Sequence, residues 1–373
     1  MKVLVCIPCL MTGGTEIQTL NLVEALVAAG HDVVTACYFE FSQDMVDRYR
    51  QAGSEVELLS TDGTRPVGVK NTVLRLYNGL RRMVKNHKPD VAHVQYMAPG
   101  AIPIVILQLL GIKRIVATAH TPADIYPSLK LLHFVSQYIL TAFQCITERA
   151  EKSFFGSSQI YKPELKLSRH GNHFTIYNNL PPYISITNTQ RQFKGSITIG
   201  VVSRLEPIKG MDLVVPAFDR IHTANPTANL LVVGDGSQRQ LMESQMNDAG
   251  LGNAIEFVGQ QPQQALQEYY DRIDVLLMPS RSEGFGLTAI EGMARGCVVV
   301  AADTGGLPEV LKDGDVGLLH KYENVQDIAD KVNELLSDPK KMSLMSRKAI
   351  ERVSLFSTDR YRLLIKDLYN KLS

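Results

Sequence analysis

Glu283 and Glu291 bracket the stretch of this chain best equipped for chemistry, residues 279–296. Carboxylates accept hydrogen bonds from hydroxyls and repel phosphate. Gly284 and Gly286 lie between them, after the apolar run Val275, Leu276, Leu277, Met278. Leu287, Ile290, Met293 and Ala294 then recur at helical spacing until Gly296. The order is strand, glycine-containing loop, helix start. It aims unpaired N–H groups and the positive end of a helix dipole at whatever lies above the loop, which suits phosphate. A ligand with phosphate in the middle and hydroxyl-rich groups on either side fits these residues, and a nucleotide-sugar is such a ligand.

Charge to match the phosphate comes from elsewhere. Arg204 and Lys209 lie in a polar loop, residues 203–210, after the apolar run 196–202. Two cations at the carboxyl edge of a sheet can neutralise a diphosphate that also meets the helix start at Leu287 and Thr288. In the first half, Gly13 and Gly14 follow the run Val3–Ile7, and His120 ends the run 114–120. The glycines either turn the chain or let a ligand approach the backbone closely. The imidazole either caps a strand or meets a sugar at the sheet edge. Neither Gly13-Gly14 nor Gly234-Asp235-Gly236 completes the dinucleotide fingerprint; Arg239 stands where the third glycine belongs in the latter.

The elements that position these residues read as repeated β-loop-α units. In the first half, strands are expected near 3–7, 31–36, 91–95, 114–120 and 175–179, with a short strand and turn at 154–158. A polar, aperiodic stretch through residues 185–190 suits a linker. The pattern then restarts, with strands near 196–202, 229–233, 254–259, 275–278, 298–301 and 317–319. The fold class is therefore α/β: two Rossmann-like, doubly wound parallel-sheet domains, residues 1–184 and 195–356. The tail, residues 357–373, carries Tyr361, Leu364, Ile365, Leu368 and Tyr369 on one side and is long enough to pack on another domain.

At 373 residues, two domains are the default. Apolar residues make up 45% and charged residues 21%, as in soluble globular proteins. A formal net charge of +1 excludes a global argument for nucleic-acid binding. Five cysteines, Cys6, Cys9, Cys37, Cys145 and Cys297, follow no framework spacing and read as reduced thiols in a cytoplasmic protein. No second pair completes a zinc site with Cys6 and Cys9. No signal peptide or spanning segment is expected. One stretch, residues 65–88, carries seven basic residues and no acidic one, with Val69, Val73, Leu76, Tyr77, Leu80, Met83 and Val84 at helical spacing. It reads as an ordinary core helix with a solvated basic face, or as a surface for anionic lipid at the inner face of the cytoplasmic membrane.

Taken in order, the motifs resemble the retaining glycosyltransferases of family 4, which have the GT-B architecture of two domains facing a central cleft. The resemblance covers nearly the whole chain. It rests on Gly13-Gly14-Thr15-Glu16, Ala119-His120-Thr121, Ile176-Tyr177-Asn178, Ser203-Arg204-Leu205 with Lys209-Gly210, Val233-Gly234-Asp235-Gly236 and Phe257-Val258-Gly259. Its strongest part is Glu283-Gly284-Phe285-Gly286-Leu287 with Glu291, the family's E-x7-E pattern, followed by Gly305-Gly306-Leu307-Pro308-Glu309. Asn179 departs from the pattern, where many members carry glycine.

The resemblance implies that Glu283 contacts donor-sugar hydroxyls and Glu291 the ribose. Backbone N–H groups around Phe285, Gly286 and Leu287 would meet the sugar, with Leu287 and Thr288 near the diphosphate. Arg204 and Lys209 would stabilise the leaving group in place of a metal ion, so no cofactor is expected. His120 would face the donor sugar from the first domain, where Gly13 and Gly14 border the acceptor and phosphate. Expected partners are a nucleotide-sugar, most commonly a UDP-sugar, and a carbohydrate or lipid-linked acceptor. Two competing readings are a non-hydrolysing nucleotide-sugar epimerase and a non-catalytic nucleotide-sugar-binding protein.

Overall fold

A computed structural model describes residues 1–60, 62–97, 99–123, 128–167 and 172–373. It forms two compact units: residues 1–179 with 358–373, and residues 180–357.

The first unit runs β1 (Lys2–Ile7), α1 (Gly14–Ala28), β2 (Asp32–Cys37), α2 (Gln43–Gln51), β3 (Ser54–Leu58), α3 (Val69–His87), β4 (Val91–Tyr96), α4 (Ile102–Leu109), β5 (Ile115–Ala119), α5 (Leu129–Tyr138), β6 (Ala142–Cys145), α6 (Glu148–Phe155) and β7 (His173–Thr175). Its described strands make one parallel sheet in the order β3-β2-β1-β4-β5-β6-β7. Valine, leucine, isoleucine and alanine make up most of β1, β4 and β5, which are almost wholly buried, as a sheet covered by helices on each side demands.

The second unit runs β8 (Thr198–Val202), α7 (Val214–Ala224), β9 (Asn229–Val233), α8 (Arg239–Asp248), β10 (Ile255–Gly259), α9 (Leu266–Arg272), β11 (Val275–Met278), α10 (Leu287–Ala294), β12 (Val298–Ala302), α11 (Leu307–Val310), β13 (Leu318–His320), α12 (Val325–Leu336) and α13 (Pro339–Val353). The parallel sheet order is β10-β9-β8-β11-β12-β13. In both sheets the winding reverses beside the first strand, between β1 and β4 and between β8 and β11. Open α/β sheets bind ligands outside the strand ends at such reversals.

The last helix, α14 (Thr358–Leu372), belongs to the first unit. Ile365, Leu368 and Tyr369 are fully buried in the core that holds Val3 and Val5 of β1 and Val91 of β4. Each such side chain withdraws apolar surface worth about 1.5–3 kcal/mol. Tyr369 also bonds His93 of β4 at 2.8 Å, and Tyr161 bonds Asp367 at 2.7 Å.

Several sequence expectations are corrected. Residues 154–158 are no strand: Phe154 and Phe155 end α6, and Gly156 closes it in the left-handed conformation. Thr147 caps that helix through the Ala150 N–H, a signal hidden by the two phenylalanines. The strand sought at 175–179 lies at 173–175, and strands β3 and β6 were not anticipated. Residues 185–190 are not a free linker. The Thr187 N–H bonds the Ala294 carbonyl, Arg295 bonds the Ser185 carbonyl, and Arg191 bonds carbonyls of Tyr270, Ile273 and Arg295. Two arginine forks hold this polar stretch on the second unit without apolar periodicity. In α3 only Leu76, Gly79, Leu80 and Met83 are buried; Val69 is 72% exposed and Tyr77 is also exposed.

Candidate functional site

The loops after β8 and β11 meet at the winding reversal of the second unit. Lys209 ends a single 3-10 turn, Pro207–Lys209, closed by Gly210. A Cβ at Gly210 would come within 2.1 Å of the Pro279 carbonyl oxygen, so glycine lets the two loops touch. Arg281 straps them together: its guanidinium takes both Asp212 oxygens at 2.7 and 2.8 Å and the Pro207 carbonyl at 2.5 Å. That fork holds the Asp212 carboxyl below its usual range.

Within this frame Lys209 Nζ lies 2.7 Å from Glu283 Oε2, both side chains being largely buried. Ser203, Lys209, Ser280, Glu283 and Thr288 line one small concavity. The loop after β12 supports Glu283 from behind. Gly306 N–H donates to the Glu283 carbonyl at 3.1 Å, and a Cβ at Gly305 would stand 1.7 Å from that oxygen. Helix α10 then starts at Leu287 with Gly286 as N-cap and no side-chain cap, leaving its first N–H groups for another acceptor. Phe285 is buried against Phe356. Arg204 is exposed in the same loop as Lys209 and makes no ion pair among the described residues. The structure thus brings Lys209, Glu283 and Thr288 together.

Glu291 lies one turn along α10 from Thr288 and is only 4% exposed. Its Oε1 accepts from the Tyr183 hydroxyl at 2.9 Å and its Oε2 from the Tyr270 hydroxyl at 2.6 Å. Burial pushes its pKa up, and the two tyrosine bonds pull it back. Neither tyrosine was singled out from the sequence. They lie on separate elements, and no spacing rule connects them to Glu291.

In the first unit, Gly13 is the N-cap of α1 in extended backbone and Gly14 opens the helix. The Glu16 carboxylate fills the space where a Gly13 Cβ would stand and accepts from the Cys9 thiol at 3.0 Å. His120 directly follows β5 and is buried, with Nε2 at 2.6 Å from Gln95 Oε1. Burial lowers its pKa to about 4, so the imidazole is neutral at pH 7. Gln95 is a further residue that sequence reasoning missed. No described cysteine is in a disulfide, and burial pushes the thiols of Cys6, Cys9, Cys37 and Cys297 up to about 12.

Known proteins resemble the chain in both units. The sequence model "Glycosyl transferases group 1" matches residues 185–352, which hold Arg204, Lys209, Glu283 and Glu291. The model "Glycosyltransferase Family 4" matches residues 12–160, which hold Gly13, Gly14 and His120. The chain belongs to the family-4 type of group 1 glycosyltransferases. A D-inositol 3-phosphate glycosyltransferase of Corynebacterium aurimucosum is 33% identical over 165 residues, spanning 43% of this chain and 39% of that relative's length. An uncharacterised glycosyltransferase of Methanocaldococcus jannaschii is 26% identical over 304 residues, 81% of each chain. The fold is that of the Anabaena protein HepE, solved in complex with UDP: TM-score 0.79, 17% identity, and full coverage of both chains. This group 1 assignment does not favour an epimerase or a non-catalytic binder.

Proposed function

We propose that this family-4-type chain is a retaining, metal-independent glycosyltransferase that moves a sugar from a nucleotide-sugar, UDP-linked before GDP- or ADP-linked, to a hydroxyl of a carbohydrate or lipid-linked acceptor. The observation that carries this reading is the Lys209–Glu283 pair beside the uncapped start of α10, with the buried carboxylate Glu291 one turn further on. Cation and helix N-terminus suit a diphosphate, and a carboxylate on each side suits the sugar and the ribose. Glu283 receives donor-sugar hydroxyls, and Glu291 receives the ribose. Backbone N–H groups at Phe285, Gly286 and Leu287 meet the sugar, with Thr288 near the diphosphate. In the first unit, Gly13 and Gly14 border the acceptor, and His120 presents a neutral imidazole to the sugar.

In the proposed reaction the bond from the anomeric carbon to the diphosphate oxygen breaks and a bond to the acceptor oxygen forms on the same face. The acceptor's proton passes to the departing phosphate oxygen. Arg204 and Lys209 stabilise the negative charge that grows on the diphosphate. Thermal melting with UDP, GDP and ADP and their sugars tests donor binding, because a ligand of the folded state raises its stability. A melting temperature unmoved by all of them would refute the donor site.

For the acceptor class, the supporting feature is α3. Lys70, Arg81 and Lys85 are exposed and unpaired among the described residues, and Val69, Leu74 and Tyr77 are exposed beside them. Apolar side chains flanked by unpaired cations suit an anionic bilayer surface, which favours a glycolipid, lipopolysaccharide or polysaccharide intermediate made at the inner face of the membrane. No helix among the described residues is long and apolar enough to cross a membrane. Co-sedimentation should recover more protein with anionic than with neutral vesicles; equal recovery removes the lipid reading.

A further inference from the structure

Glu291 is a buried carboxylate with no cation beside it among the described residues. Such a group is costly unless several donors satisfy it. An ionised carboxylate offers about four lone-pair sites. The Tyr183 hydroxyl occupies one site on Oε1 and the Tyr270 hydroxyl one on Oε2, so each oxygen keeps a site with no hydrogen bond from the described residues.

The segments that carry both tyrosines are held by their surroundings. Tyr270 is fully buried on α9, and its carbonyl accepts from Arg191 at 2.9 Å and from the Cys297 thiol at 3.3 Å. Tyr183 is held through Ser185, whose N–H and hydroxyl both donate to Gln267 of α9 at 2.9 Å. Arg295 bonds the Ser185 carbonyl at 2.9 Å and is itself held by Asp271. Two segments, α9 and the one holding Tyr183, therefore converge on one carboxylate.

We infer that Tyr183 and Tyr270 are positioning residues for nucleotide recognition: one hydroxyl on each oxygen fixes the Glu291 carboxylate in a single orientation, with its two remaining acceptor sites presented to the paired hydroxyls of a ribose. The inference rests on the reading of Glu291 as the ribose residue. The tyrosines touch neither sugar nor phosphate in this arrangement. They act through Glu291, so their effect belongs in nucleotide affinity and in the discrimination of ribose from sugars lacking the diol, not in the rate of the bound complex.

The test is calorimetric titration of UDP and of 2′,3′-dideoxy-UDP into the full chain and into Tyr183→Phe, Tyr270→Phe and Glu291→Gln variants. The unaltered chain should prefer UDP by about ten-fold or more, the loss expected when a charged acceptor goes unpaired. Each Tyr→Phe variant should lose most of that preference through weaker UDP binding, while dideoxy-UDP binding and kcat stay within about two-fold, as uniform binding energy requires. Tyr183→Phe is the safer variant, being half-buried, and melting curves show whether Tyr270→Phe folds. A full ribose preference in both Phe variants, with the preference lost in Glu291→Gln, overturns the role of the tyrosines and leaves the donor site standing. A preference that survives Glu291→Gln overturns the ribose assignment itself, and the tyrosine proposal with it.

Discussion

Lys209 and Glu283 neutralise one another at 2.7 Å before any donor arrives. A diphosphate entering beside Lys209 must share its ammonium with that carboxylate, and the carboxylate repels it. Glu283→Gln removes the competitor and keeps the shape. It should therefore tighten UDP binding by roughly three- to ten-fold and slow transfer by about 10²-fold or more, since the charged acceptor proposed for donor-sugar hydroxyls is lost. Lys209→Ala should slow transfer by about 10²–10³-fold, the usual effect of deleting one charge-stabilising group. Binding and single-turnover measurements on the two variants separate these effects. Weaker UDP binding in Glu283→Gln would show that the carboxylate does not oppose phosphate.

At the scale of elements, the proposed donor site is three loops leaving the strand ends of one sheet, after β8, β11 and β12, held at contact distance by glycine. Gly305 has φ 54° and its absent Cβ would lie 1.7 Å from the Glu283 carbonyl. Gly305→Ala must push the β12 loop off the Glu283 loop, which should cost about 2–4 kcal/mol of stability and abolish UDP binding. Gly30 also has positive φ, at 83°, yet open space surrounds it. Gly30→Ala should cost only about 1 kcal/mol and leave UDP binding unchanged. Urea unfolding and calorimetry on both variants distinguish close approach from backbone strain alone. The glycines were legible as a motif, but the atom each one makes room for was not, because the contacts cross between loops far apart in sequence.

For the whole molecule, the buried polar pairs of the first unit set its response to acid. His93 bridges Tyr369 of α14 and Thr118 of β5 at 2.8 and 2.6 Å. Burial lowers its pKa to about 3 and that of His120 to about 4, against 6.5 in the unfolded chain. Between those values the unfolded state binds more protons, so stability falls as pH drops from about 6.5 toward 4. Glu291, with its raised pKa, acts in the opposite sense. Melting temperature should therefore decline between pH 7 and pH 5, and His93→Gln should flatten the decline. Since Tyr369 anchors α14 through His93, proteolysis at pH 5 should release the C-terminal helix first. A slope unchanged in His93→Gln would remove that histidine from the acid response.

The sequence alone determined the alternation of strands and helices, the two parallel sheets and the ordered motif set, because periodicity and turn residues act over a few neighbours. It placed Lys209, Glu283 and Glu291 in loops and a helix at a sheet edge. It misread residues 154–158, where two aromatic residues imitate a strand but end a capped helix. It also misread residues 185–190, where polar composition hid the arginine bonds that fix the chain. Only the tertiary structure paired Lys209 with Glu283, supplied Tyr183 and Tyr270 to Glu291, and set Gln95 against His120. Each of these contacts joins residues brought together by tertiary packing rather than by spacing. The carboxylates of residues 279–296 were visible as chemistry in the sequence, but their partners meet them only once the β8 loop, α9 and the segment holding Tyr183 pack around them.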